Sequence, residues 1–292
     1  DTININADEN IRVKAKDTGF NINSILNFIN DRNSTSNKSD KKVTFSSENC
    51  YLYIDKNRRI VSDSIDLQYL NNAVTAQLIH HEANAGFKLE NNKFHLYGDK
   101  FDDKFMENLF ALSRFKDGAL AFTISGSTKE YDGTFIIKDT AVLDYKILNN
   151  VLAFVNTIPS LVTFSLPGYS SKGLPVKEAY MKFKAKDDIY NITDMSLNSP
   201  ELKILGRGVA NFKADTINLD LNLQTDLGSG MSKIPAVGYI LFGENSISTS
   251  LSVTGSLTNP DVNSKLAQEI IVAPLNIIKR TLLFPYKLLK GK

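Results

Sequence analysis

Four apolar residues, Ile217, Leu219, Leu221 and Leu223, alternate with Asn218, Asp220, Asn222 and Gln224. In an extended strand successive side chains point to opposite faces, so this segment makes one greasy face and one wet one. The pattern recurs with Ile247, Leu251 and Val253 against Ser246, Ser248, Ser250 and Ser252, and with Met181, Phe183 and Ala185 against Tyr180, Lys182, Lys184 and Lys186. Shorter versions are Ile11, Val13 and Ala15, the run from Ala119 to Ser125 and the run from Gly133 to Lys138. Turn signals fall at Asp187-Asp188, Asn198-Ser199-Pro200, Gly206-Arg207-Gly208 and Ala214-Asp215, the short spacing of antiparallel meanders. A mainly β chain follows.

Helical periodicity is confined to a few places: Ile22 to Ile29, a stretch capped by Asp102 and running to Phe115, Asp144 to Asn156, and the last thirty residues. Asn30 to Lys42 reads as a polar loop. So few helices leave many half-apolar strands to bury one another. Either two sheets close as a sandwich or barrel, or one long sheet curls into a trough with an apolar lining. Periodicity alone favours the filled core, the commoner fate of such faces.

Chemistry finds little to work with. The 34 Lys and Arg against 32 Asp and Glu leave +2, which speaks against a general nucleic-acid binder. Cys50 is alone, so neither an internal disulfide nor a thiolate zinc site can form. Nucleotide-binding loops, the serine-hydrolase elbow and the helical zinc-protease motif are all missing, and the one S-x-x-K match, Ser39 to Lys42, lies in the polar loop. His80 and His81 are adjacent, and adjacent residues of a strand face opposite ways, so a metal site there is not expected. Asp102-Asp103 reads as a helix cap and Asp187-Asp188 as a hairpin turn, not as a catalytic carboxylate pair. No catalytic residue, metal or cofactor is assigned.

The final thirty residues form an amphipathic pattern. Ile277, Ile278, Leu282 and Phe284 share one half of a helical wheel with Leu266, Ile270, Ile271, Leu275, Leu288 and Leu289. Lys279, Arg280, Lys287 and Lys290 fall on the other half, while Pro274 and Pro285 divide the stretch. From Asn263 onward the local charge is +5, which leaves −3 for the remainder. Such a helix either lies in a membrane interface or plugs the end of a sheet. The chain opens on Asp1 with no leader of its own, so a further segment upstream is expected.

These residues resemble a known family. The segment Ile234-Pro235-Ala236-Val237-Gly238-Tyr239-Ile240-Leu241-Phe242-Gly243-Glu244, followed by Leu251-Ser252-Val253-Thr254-Gly255-Ser256-Leu257-Thr258-Asn259-Pro260-Asp261-Val262, is similar to the C-terminal region of AsmA-like proteins. The likeness covers about Tyr131 to Lys292 and is architectural before that. It implies a non-enzymatic protein of the bacterial periplasm, held at the inner membrane through an upstream segment and reaching toward the outer membrane. It also shifts the expectation from filled core to trough: an elongated, curved antiparallel sheet forming an apolar groove, with a few short helices and C-terminal amphipathic helices. The organisation expected is a β-groove segment with short helices over 1–140, an AsmA-like β-groove segment over 141–262, and a basic helical tail over 263–292.

The role so implied is movement of phospholipid between the two membranes in support of outer-membrane integrity. Taking two acyl chains of about 15 methylenes each through water costs about 24 kcal/mol, or roughly one spontaneous transfer a day. An apolar trough removes most of that barrier with no catalytic group. The residues expected to contact lipid are Met181, Phe183, Ile204, Phe212, Ile217, Leu219, Leu221, Leu223, Ile247, Leu251 and Val253. Those expected at a membrane surface are Ile277, Ile278, Lys279, Arg280, Leu282, Phe284, Lys287 and Lys290. Phospholipid, a membrane surface and envelope proteins are the partners expected, and nucleic acid is not. The alternative role is an assembly factor or scaffold for outer-membrane β-barrels.

Overall fold

The computed structural model describes residues 2–22, 24, 42–54, 56, 58–110, 115–143, 173–200, 202–226, 240–241, 246–257 and 259–265. In chain order the strands of the first half are β1 (Thr2–Ala7), β2 (Ile11–Lys16), β3 (Gly19–Asn21), β4 (Val43–Glu48), β5 (Tyr51–Tyr53), β6 (Arg59–Val61), β7 (Ser64–Leu70), β8 (Ala73–His80), β9 (Ala83–Glu90) and β10 (Lys93–Phe101). Helix α1 (Asp103–Phe110) follows. Then come β11 (Phe115–Lys116), β12 (Ala119–Gly126), β13 (Glu130–Val142), β14 (Leu174–Lys186), β15 (Ile189–Asn198), β16 (Leu202–Asn211), β17 (Thr216–Asp226), β18 (Ile240–Leu241), β19 (Ser246–Ser256) and β20 (Pro260–Ser264).

Pairing strings fifteen of these into one row: β1-β2-β4-β7-β8-β9-β10-β12-β13-β14-β15-β16-β17-β19-β20. β11 extends the row beside β13, and β18 does so beside β19. Fourteen gaps of about 4.8 Å make the row about 67 Å long in the hydrogen-bonding direction. β3, β5 and β6 form a separate three-stranded sheet.

The hairpins close where the backbone can turn tightly. Asn71-Asn72, Asn91-Asn92 and Asp187-Asp188 all have positive φ at both positions, the conformation of a two-residue type I′ turn that Asn and Asp tolerate. Asp187-Asp188 is therefore the turn expected of it. Gly206-Arg207-Gly208 is not a turn; it lies within β16, paired from Gly206↔Leu221 to Gly208↔Leu219. A Cβ on Gly206 would come within 2.6 Å of the Leu221 side chain, and one on Gly208 within 2.1 Å of the Asn218 carbonyl. These glycines make room for the neighbouring strand rather than reversing the chain.

The sheet is also not wholly antiparallel, because β2 and β4 run parallel, from Ile11↔Val43 to Lys16↔Glu48. A parallel pair needs a crossover of a dozen residues or more, and the 26 residues from Asp17 to Lys42 supply it. Of the expected helices, α1 is present, with Asp102 as its cap: Asp102 Oδ1 accepts the Phe105 amide at 2.8 Å. It ends at Phe110, and Phe115 already belongs to β11. The helix expected over Asp144 to Asn156, nearly all of that over Ile22 to Ile29, and the helical tail lie outside the described residues, as does the polar loop up to residue 41.

Candidate functional site

Side chains opposite one another in a ladder share a face, so the registers trace a single surface through the whole row. Starting at Leu219, its partners are Gly208 on β16 and Val253 on β19, and Val253 in turn faces Val262. In the other direction the same face runs through Ile192, Phe183, Gly133, Ile124 and Leu96 to Phe87. From there it passes Ala76, Leu67 and Phe45 to Val13 and Ile5 on β1. Every one of the fifteen strands contributes apolar side chains to it.

Along two of the strands the strict alternation is broken, and a bulge in each keeps apolar side chains on this face. Between Gly98 and Phe101 the register against β12 shifts, with Lys100 at φ 61°, so that Phe101 returns to the apolar face over Leu120. Between Ile192 and Met195 a second irregularity does the same in β15. Bulges re-aim side chains in just this way.

The opposite face is polar: Arg12, Lys14 and Lys16 on β2, Lys182, Lys184 and Lys186 on β14, Asn218, Asp220 and Asn222 on β17, Ser248, Ser250 and Ser252 on β19. Exceptions are Ile79 and Val209, which are exposed, and Ile136 and Leu205, which are buried. Tyr180 and Asp194 also lie on this side; burial, with the Asp194 charge adding to it, raises the Tyr180 phenol, and burial raises the Asp194 carboxyl against the opposing pull of Lys182.

Along the apolar face the buried side chains of the described residues fall into three clusters in succession. Val43, Tyr69 and Val74 form the first; Ala83, Phe101, Phe105, Met106 and Leu120 the second; and thirteen residues from Leu174 to Val253 the third. Among the described residues none of the clusters joins the early strands to the late ones. The second cluster is where α1 docks: Phe105 stacks on Phe101 at 4.0 Å between centroids, and Ile60 and Val61 of the small sheet pack against the same group. Between the clusters, Phe94, Leu96 and Ile124 sit on the face partly buried and belong to none of the three.

Aromatic rings run across the strands as a continuous line. Phe87, Phe94, Tyr131, Tyr190 and Phe212 follow one another at centroid distances of 6.3, 6.0, 6.2 and 5.0 Å. A second path links Phe101, Phe122, Phe135 and Phe183 at 5.8, 6.2 and 5.7 Å. Within this apolar line Tyr131 and Tyr190 join their hydroxyls at 2.6 Å. Burial first, and that hydrogen bond second, hold the Tyr131 phenol well above its ordinary range.

The residues expected to contact lipid divide by position. Phe183, Ile204, Ile217, Leu219, Leu221, Leu223, Leu251 and Val253 all lie on the apolar face inside the third cluster, with Met181 packed against it. Phe212 lies in the β16–β17 turn, 63 % exposed, with its ring edge-on to Tyr190. Ile247 pairs with Thr225 and Leu241, its side chain outside the described residues. Ile277, Ile278, Lys279, Arg280, Leu282, Phe284, Lys287 and Lys290 lie outside them too. Sequence reasoning passes over much of the early half of the face, including Leu67, Phe87, Phe94 and Leu96. The signal for it is in the Asn71-Asn72 and Asn91-Asn92 pairs, which set Leu67 and Tyr69 against Val74 and Ala76, and Phe87 and Leu89 against Phe94 and Leu96.

Among the described residues no helix is long and apolar enough to cross a membrane. Comparison with curated proteins and with solved structures found no match. The family model described as YhdP protein matches residues 6–262, from β1 through to β20. With that match extending over nearly the whole traced sheet, the chain belongs to the YhdP family, bacterial envelope proteins of the AsmA-like type.

Proposed function

We propose that this chain is a passive, non-enzymatic conduit for phospholipid in the bacterial periplasm, the acyl chains lying along the apolar face while the head groups stay in water. The observation that carries the reading is the continuity of that face through fifteen strands, with polar residues behind it. Each methylene kept out of water is worth about 0.8 kcal/mol, so a gap in the lining would restore much of the barrier to transfer. Membership of an AsmA-like envelope family agrees with this substrate and compartment, with an anchor at the inner membrane upstream of the sheet. The basic, amphipathic segment beyond β20 then holds one end of the sheet against an anionic membrane.

The test belongs in the middle of the face, between the buried clusters. Leu219 and Leu221, at 4 % and 5 % exposure, are too well packed to separate lipid binding from folding. Leu96 and Ile124 face each other across β10 and β12 outside the buried clusters. A photo-crosslinking side chain at either position should capture phospholipid in cells, and Leu96→Asp with Ile124→Asp should abolish lipid co-purification with β-content unchanged. Crosslinks to protein alone, or full lipid loading of the double variant, would refute the conduit.

One observation favours a second reading, an assembly factor for outer-membrane β-barrels. β1 is exposed along its whole length, with Ile3 and Ile5 at 53 % and 68 %, and a sheet edge of this kind can template another strand. A barrel client should then crosslink at β1, and loss of folded barrels with normal lipid traffic would support this reading over the first.

A further inference from the structure

We propose that Asp63, His80 and His81 form a zinc site that clasps the β8–β9 turn to the loop before β7, beside the cap of α1. Adjacent histidines of a regular strand diverge, and the sequence alone predicts that these two do. The structure brings them together because His81 is already in the turn with φ 54°, a left-handed conformation that swings its side chain toward that of His80. The two imidazoles stack at 4.2 Å between centroids, 29° from parallel. One nitrogen of each ring and one carboxylate oxygen of Asp63 lie within 4.8 Å of one another.

The unsatisfied atom is on His80. Its side chain is 10 % exposed, and its Nδ1 is fully shielded from solvent without a hydrogen-bond partner. The nearest acceptor is Asp63 Oδ1 at 3.5 Å, beyond hydrogen-bond length. Two ligands of a tetrahedral zinc ion, each about 2.05 Å from the metal, stand about 3.3 Å apart, so this separation matches an ion between them better than a direct bond. Two backbone contacts hold the Asp63 carboxylate in place. Its Oδ2 accepts the His81 amide at 2.5 Å, and the Asp63 amide donates to the Ile79 carbonyl at 2.8 Å, which leaves Oδ1 to face His80. Two imidazoles and one carboxylate are a donor set suited to zinc and other borderline divalent ions rather than to calcium or magnesium.

A fourth group serves the site from outside. Asp102 Oδ2 stands 3.5 Å from His81 Nδ1, while Oδ1 of the same carboxylate caps α1. A carboxylate behind a ligating histidine fixes the ring and raises its basicity. The His80 ring also lies 5.8 Å from that of Phe105, which packs against Phe101 on the apolar face. An ion at this position therefore ties the turn, the β7 loop and the start of the helix that seals this stretch of the face into one unit.

The experiment is a zinc titration of the tag-free chain at neutral pH against a chromophoric chelator, repeated with three variants. Wild type should bind one equivalent saturably, and zinc should raise its melting temperature. His81→Ala, at a side chain 64 % exposed, should weaken binding at least tenfold and cancel the thermal shift. Asp63→Asn should do likewise. Asp102→Asn keeps a good helix cap but removes the charge, and should weaken zinc about tenfold or more. Absence of saturable binding to wild type, or equal affinity in His81→Ala, would overturn the site.

Discussion

A trough and a filled core differ in what a leucine does at different points of the same face, and a pair of truncations separates them. Leu251 is wholly buried, opposite Leu221 on β17, inside the third cluster. Leu251→Ala removes the transfer free energy of its lost carbons and leaves a cavity, together about 3 kcal/mol. Leu96 is on the same face nine strands earlier in the chain, partly buried and outside the clusters. Leu96→Ala gives up only part of a leucine's burial and encloses no void, so about 1 kcal/mol is the cost. For a chain of this length each kcal/mol lowers the melting temperature by about 2 °C, giving drops of about 6 °C and 2 °C.

Thermal melts followed by circular dichroism on delipidated protein give the first comparison. Lipid then reverses the order of the two sites. Phospholipid bound at the middle of the face should stabilise wild type by mass action, and Leu96→Asp should lose most of that gain while the lipid-free variant stays folded, its melting temperature a few degrees lower. Leu251→Asp buries an unpaired carboxylate and should fail to fold, at a cost of several kcal/mol. Equal destabilisation by Leu96→Ala and Leu251→Ala would refute the reasoning, because it would mean that the middle of the face is packed as tightly as its end.

Three further outcomes are expected. Asp194 has a carboxyl raised by burial, so its favourable contribution is complete below its unfolded pKa of about 3.9 and is lost as pH rises through the higher folded value; Asp194→Asn should therefore raise the urea midpoint at pH 7, and the gain should fade toward pH 4. Tyr131→Phe leaves the Tyr190 hydroxyl without its 2.6 Å partner and should cost about 1 kcal/mol in urea unfolding, and it should remove the latest-titrating phenol from an alkaline absorbance titration. A chain ended after Lys265, whose amide still donates to Ser250 at 2.9 Å, should keep the β-signal yet no longer float with anionic vesicles as the full chain does at low salt.

What can be read from sequence is local. Ile217 to Leu223 form the face that their alternation announces, because a strand's period is set by its own backbone. Asp102 caps α1 for an equally local reason. Failures come where a single residue leaves its regular conformation. His81 defeats the rule that neighbours diverge because it has already entered a turn. Gly206 and Gly208 look like turn residues but serve packing, a role set by Leu219 and Leu221 some fifteen residues away. The parallel pairing of β2 with β4 depends on where the chain returns after 26 residues, which neither strand's own pattern encodes.

The apolar face itself belongs to a third level, between strand and fold. Each strand carries only a few of its residues, six on β14, and a one-residue slip in a ladder would turn that strand's apolar set to the polar side. The face runs from Ile5 to Val262 through cross-strand partners, and along β10 and β15 it is extended past Gly98 and Ile192 by the bulge before Phe101 and the one between Ile192 and Met195. The first of these also delivers Phe101 beneath Phe105, so the residue that the bulge re-aims is the one on which the covering helix sits. Such a surface is specified at two ranges. Tight Asn and Asp turns set the register of three of its hairpins and bulges re-aim side chains within β10 and β15, whereas the parallel β2–β4 pair and the β10–β12 join around α1 depend on where longer connections return the chain.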